Sequence, residues 1–175
     1  SHSGEVLKQV RGGERFTVDL ELKPWVPLVA RSQYDQQPPY FVYAGLVFQT
    51  LTRDFLGTWD KWWNKAPKEF LYYYYSGLRT PERREVVILT QILADEINVG
   101  YSHLYNEGIV AVNGAMPRDL EDFVRRVVAS AGTVEIKTAS NGVIMFDAAE
   151  VRHATPRILE RYHIPRDRSR ALPEG

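Results

Sequence analysis

One segment restricts the possible folds more than any other: "RDLEDFVRRVVASAG", residues 118–132. Leu120, Phe123, Val124, Val127, Val128 and Ala131 recur at intervals of three and four, with Arg125 and Arg126 on the opposite side. That period predicts an amphipathic helix over 119–131, with Asp119 or Arg118 at its start, an acidic first turn that suits the helix dipole, and Gly132 as its C-cap. A stripe this apolar must be covered by another layer. Most of its neighbours along the chain read as strands, so the arrangement expected is α+β: an antiparallel sheet capped by helices.

The strand signals are of two kinds. Residues 5–22, "EVLKQVRGGERFTVDLEL", alternate around Gly12-Gly13 and predict a hairpin. "REVVILTQIL" is a continuous apolar run suited to the centre of a sheet. "NEGIVAVNGAMP" is a short strand closed by the turn signal Asn113-Gly114, and "TVEIKTA" with "GVIMFD" forms a hairpin across Ser140-Asn141-Gly142. "KPWVPLVARSQYDQQPPY" holds four prolines and reads as an extended connector. Between Arg53 and Arg84 lies an aromatic insert, in which Pro67 begins a helix and Gly77 stops it. Its rings invite comparison with a sugar platform, but the helical spacing of Phe70, Leu71, Tyr74 and Tyr75 is accounted for by packing on the body of the fold. The terminal "AAEVRHATPRILERYHI" is helical, with two options at Pro156: a kink, or a second helix capped by Thr155. "PRDRSRALPEG" is a polar tail expected to fray, and "SHSG" reads as a remnant of cloning.

Several chemistries find no support. The 22 basic and 22 acidic residues balance, which gives no reason to invoke nucleic acid or an anionic membrane, and no apolar run reaches the roughly 18 residues of a membrane span. Cysteine is absent, which removes thiolate catalysis, disulfides and cysteine-ligated metal sites. The chain contains no G-x-S-x-G stretch, no H-x-x-x-H pair and no phosphate-cradling glycine loop. His153 and His163 fall on the charged terminal helix and read as solvated. His103 in "GYSHLYNEG" stands beside no recognisable nucleophile or paired acid. Asp95 and Glu96 are adjacent, point in different directions and read as surface charges. The expectation is a non-catalytic chain that needs no metal and no cofactor.

The stretch "YFVYAGLVFQTLT", residues 40–52, sets the functional question, because a glycine inside so apolar a strand marks a bulge or a close approach. Tyr43-Ala44-Gly45-Leu46, followed by Val47 and Phe48, resembles the carboxylate-binding loop and first groove strand of the PDZ domains in Deg/HtrA-type serine proteases. "NEGIVAVNGAMPRDLEDFVRRVV" resembles the PDZ pattern in which a strand ends in "xNG" and "DLxDxV" opens the groove helix. With "EVVILTQILADEINVGY" and "ILERYHIP", the likeness is to the C-terminal PDZ domain of plant-type and related bacterial Deg proteases and spans roughly residues 24–166.

The resemblance implies a PDZ-like, partly open antiparallel β-sandwich or barrel, with the aromatic insert and the terminal helix as decorations. It implies a domain over 24–166, a preceding hairpin over 1–23 belonging to the end of an earlier PDZ domain, and a tail over 167–175. The binding loop and strand would be Tyr43, Ala44, Gly45, Leu46, Val47 and Phe48. The groove helix would contribute Leu120, Phe123, Val124 and Val127. Another register places "GLVF" on the PDZ "GLGF" loop and puts Val47 where glycine is usual. Partners implied are peptide segments or protein C-termini, the protease domain and the other PDZ domain of the same chain, and further subunits of an oligomer engaged in protein quality control. Bacterial members of the family imply the periplasm or cell envelope. A self-filled groove serving oligomer assembly is the alternative, and a small hydrolase built on His103 is the least favoured.

Overall fold

The computed structural model describes residues 5–11, 13–20, 25–31 and 37–174. A first hairpin pairs β1 (Glu5–Arg11) with β2 (Glu14–Leu20) as a separate two-stranded sheet. Gly13 supplies the positive φ (+83°) that its turn requires, while Gly12 lies outside the described residues.

The main body is a six-stranded antiparallel sheet that does not close into a barrel. It is built from β3 (Tyr40–Tyr43), β4 (Leu46–Thr50), β5 (Val87–Ile92), β6 (Glu107–Val112), β7 (Thr133–Thr138) and β8 (Val143–Asp147). The strands lie side by side in chain order, each paired to the next. Register shifts between Val47 and Phe48 and between Ile109 and Ala111 mark bulges, the device by which a sheet bends without losing its pairing.

Among the described residues, five α-helices decorate the sheet: α1 (Arg53–Leu56), α2 (Trp62–Lys65), α3 (Lys68–Ser76), α4 (Leu120–Ala129) and α5 (Ala148–Arg161). This is the α+β arrangement expected from the resemblance. α4 starts where the sequence placed it, because the Asp119 carboxylate accepts the Asp122 N–H. It stops sooner: the cap is Ser130 in extended conformation, whose hydroxyl donates to the Arg126 carbonyl, and Gly132 lies beyond the helix. α5 runs unbroken through Pro156, with Asp147 rather than Thr155 as its cap. Asn113 and Gly114 do form a positive-φ turn, but the chain then leads to α4 and not to the next strand.

The sheet is covered on both faces. Leu46 and Phe48 pack with Leu120, Phe123, Val124 and Val127 of α4 in the largest apolar cluster. Val42, on the other face of β3, packs with Ala154 and Ile158 of α5. Full burial stabilises each such side chain by about 1.5–3 kcal/mol.

The insert has its own core, in which Phe70 and Leu56 join Leu51, Val86 and Ile88 of the body. Phe55, Trp59 and Phe70 meet edge to face at 5.2–6.4 Å. Of the residues whose helical spacing predicted packing, Phe70 is buried and Leu71 and Tyr74 lie partly buried against this core, while Tyr75 is exposed. A polar contact ties α3 to the sheet: Glu69 Oε1 accepts the Gly108 N–H at 2.9 Å. Burial pushes the Glu69 pKa up, the Gly108 bond pulls it down, neighbouring Glu107 raises it and Arg83 lowers it, with a net upward result. The net raised pKa means that docking of Glu69 is favoured in acid and weakens as pH rises through the folded value, above the ordinary glutamate range of about 4.3, because burying the ionised carboxylate costs more than the Gly108 bond returns. Hydrogen exchange at Gly108 should therefore accelerate with pH beyond its intrinsic base dependence. Glu69→Gln should abolish the excess, and an unchanged profile in that variant would reject the assignment.

Candidate functional site

The stretch 40–52 is a tight hairpin. Tyr43 pairs with Leu46 across a two-residue turn in which Ala44 has φ +54° and Gly45 φ +80°. Two consecutive left-handed residues match the right-handed twist of the flanking strands, and this accounts for a glycine within an apolar run. The turn also fits closely against a neighbouring loop. Leu93 donates its N–H to the Gly45 carbonyl at 2.7 Å, and buried Asn98 donates Nδ2 to the carbonyls of Ala44 (2.9 Å) and Leu93 (2.8 Å).

Asn98 is held in turn by Asp95. The Asp95 N–H donates to Asn98 Oδ1 at 3.2 Å, and the Asp95 carboxylate caps the 3-10 turn Glu96–Asn98 by accepting the Ile97 N–H at 3.1 Å. Asp95 is not the surface charge that its sequence position suggested. It is 6% exposed and bound by Arg157 through both Nε (3.2 Å) and Nη2 (2.7 Å), with Arg161 3.9 Å away. The chain Ala44–Asn98–Asp95–Arg157 thus connects the turn to α5. Sequence alone concealed it because the partners lie some 50 to 60 positions apart.

The Arg157 hydrogen bond is the largest influence on Asp95 and holds its carboxyl below the usual aspartate range. A depressed pKa stabilises the fold above the ordinary value, about 3.9, and that contribution is lost as pH falls through the folded pKa. Asp95→Asn should cost about 1.5–3 kcal/mol at neutral pH, the range for hydrogen bonds to charged groups. The gap between variant and wild type in urea unfolding should close in acid. A gap independent of pH would refute the ion-pair account.

The residues expected to form the binding wall are brought together. Leu46 and Phe48 are fully buried, and the Phe123 ring lies 4.6 Å from Phe48 and 6.2 Å from Phe41. Val47 faces the α5 side. Both edges of β4 are paired, to β3 and to β5. Tyr43 stands beside the turn with its hydroxyl buried and without a hydrogen-bond partner among the described residues, and burial pushes its pKa up to about 12. At the opposite end of β4 the surface opens into a cleft of about 630 Å³, lined by Thr50, Phe55, Arg79, Glu85, Leu120 and Leu172. Glu85 organises one wall, its Oε1 accepting the Leu120 N–H (3.1 Å) and the Thr50 hydroxyl (3.3 Å). No sequence motif marked this cleft. His103 is exposed, away from these contacts. Among the described residues no group of three or more His, Asp or Glu side chains is placed to hold a metal ion, and no helix is long and apolar enough to cross a membrane.

A helix lies over a strand that follows a small-residue turn, and to this arrangement comparison with known proteins adds a family. The PDZ domain family profile matches residues 29–171, so the chain belongs to the PDZ domain family. Its relatives include proteases of the Deg/HtrA type. Protease Do-like 4 and its Do-like 3 counterpart, both mitochondrial and from Arabidopsis thaliana, are 29% and 30% identical over 91% of this chain. A serine protease DegP homolog from Plasmodium falciparum (isolate 3D7) is 26% identical over 70% of the chain. The chain spans 28%, 27% and 13% of the lengths of these three relatives.

Proposed function

We propose that this PDZ domain is a non-catalytic regulatory module of a Deg/HtrA-type serine endopeptidase, engaging peptide segments or protein C-termini along the β4–α4 side. The observation that carries the reading is β3 itself. An extended strand already lies antiparallel on β4 with Phe41 against Phe123, held by the backbone pairing and side-chain contact that an added peptide uses. The binding residues are assigned as Tyr43, Ala44, Gly45, Leu46, Val47 and Phe48, with Leu120, Phe123, Val124 and Val127 as the helix wall. The catalytic triad is assigned to a protease domain outside this chain, and the hairpin β1–β2 to the end of a preceding PDZ domain.

The same observation favours a second reading. Because the strand on β4 belongs to the chain, the groove is self-filled and the module serves assembly of the protease. Titration with a library of peptides ending in free carboxylates separates the two. Saturable binding that shifts the amide resonances of Leu46, Phe48 and Val124 supports regulation. Silent spectra, with a full-length protease whose number of subunits falls when residues 25–174 are deleted, support assembly.

A further inference from the structure

The outer edge of β3 is occupied by residues 166–169 of the same chain. Val42 donates its N–H to the Asp167 carbonyl at 2.6 Å, Ser169 donates to the Tyr40 carbonyl at 3.0 Å, and Phe41 stands opposite Arg168 in an antiparallel bridge. The Tyr40 N–H reaches Ser169 Oγ and its hydroxyl reaches the Arg166 carbonyl, both at 2.9 Å. This is strand addition carried out within one molecule.

Two side chains anchor the added segment. The Arg168 guanidinium lies 5.1 Å from the Phe41 ring centroid, which attracts a cation. Its Nε and Nη2 donate to the two Asp167 carboxylate oxygens (3.0 and 2.9 Å), and Nη1 donates to the Pro173 carbonyl at 2.7 Å. Its side chain is 13% exposed. Leu172, after a turn closed by its N–H on the Ser169 carbonyl, is buried in the cluster that contains Phe41 and Phe123. The link to α5 is short and strained: His163 has φ +56°, a left-handed conformation that costs a non-glycine residue about 1–2 kcal/mol.

We propose that the outer edge of β3 is a second strand-addition site, distinct from the β4–α4 side in its backbone pairing although its apolar anchor Leu172 enters the same cluster, and that residues 166–172 hold it shut. Its ligand class is an extended peptide carrying an arginine to lie over Phe41 and an aliphatic residue four positions later. The Tyr40 carbonyl and the Val42 N–H define its backbone register. A tethered strand competes at an effective concentration of about millimolar, so an outside peptide gains the edge when the internal segment loosens.

The test uses the full chain and a fluorescent peptide of the sequence of residues 165–175. The double variant Arg168→Ala/Leu172→Ala should bind this peptide at least about tenfold more tightly than wild type, which keeps its edge covered. Binding should slow hydrogen exchange at Val42 and leave Phe48 unchanged, a readout separate from the residues that report on the β4–α4 side. A peptide with alanine in place of its arginine should bind more weakly. As a second arm, a protease site inserted between Ile164 and Pro165 of the full chain, once cleaved, should let the severed segment exchange for labelled peptide. The proposal is overturned if the folded double variant binds no better than wild type, if Val42 gains no protection, or if the cleaved chain takes up no peptide.

Discussion

Gly45→Ala should lower the unfolding free energy by about 3 kcal/mol, combining a left-handed penalty of about 1–2 with overpacking of about 1–3. A methyl group there would stand 2.5 Å from the Leu93 carbonyl oxygen and 2.6 Å from Asn98 Nδ2. The first is backbone, and the second is fixed by two hydrogen bonds, so neither withdraws without breaking the contacts that connect the turn to its neighbour. For a chain of this size the loss corresponds to a fall in Tm of roughly 6–12 °C. Ala44→Gly is the control, since φ at Ala44 is already positive and glycine relieves it while removing one buried methyl. Calorimetry of the two variants decides the matter. A Gly45→Ala protein melting with wild type would show that the turn is free to adjust and that the Asn98 contacts do not hold it.

The other large effect belongs to Phe123. Its ring is fully buried and touches both strands of the hairpin, Phe41 on β3 and Phe48 on β4. Truncation to alanine should cost about 3–5 kcal/mol, and the remaining void should lower the protection of Val42 and Phe48 amides more than that of β7. Phe123→Leu should cost much less, because most of the volume is kept. Equal destabilisation by the two substitutions would argue that the aromatic contact, and not filled volume, dominates here. Uniform loss of protection across the sheet would argue that α4 stabilises the whole body and has no special connection with β3.

Much of the architecture was legible before any coordinates. The alternation in residues 5–20, the apolar run that became β5 and the three-and-four spacing of α4 are local signals, each carried within about a dozen residues. Leu46 and Phe48 were placed on one side of their strand by period two alone, and both do meet α4. Signals that depend on distant partners were not legible. Asp95 looked like a surface charge because nothing near it in sequence reveals Arg157. Residues 167–174 looked like a fraying tail because five of the eight are charged or polar, while the lone Leu172 gives no periodicity to show that it is buried. The stretch 40–52 was legible as a loop before a strand. That the preceding residues fold back as β3 and pair with β4 depends on two adjacent positive φ values, which glycine announces at one position and alanine conceals at the other.

The side-by-side order of the six strands also has a consequence in time. Every pairing from β3 to β8 joins consecutive strands, so each can form once its own portion of chain exists, and loop closures of this length are entropically cheap. The bonds from Tyr40 and Val42 to residues 166–169 are the exception, closing separations of up to 129 positions. They form only after synthesis has passed α5. Until residues 166–169 have been made, β3 is an uncovered edge on an otherwise assembled sheet.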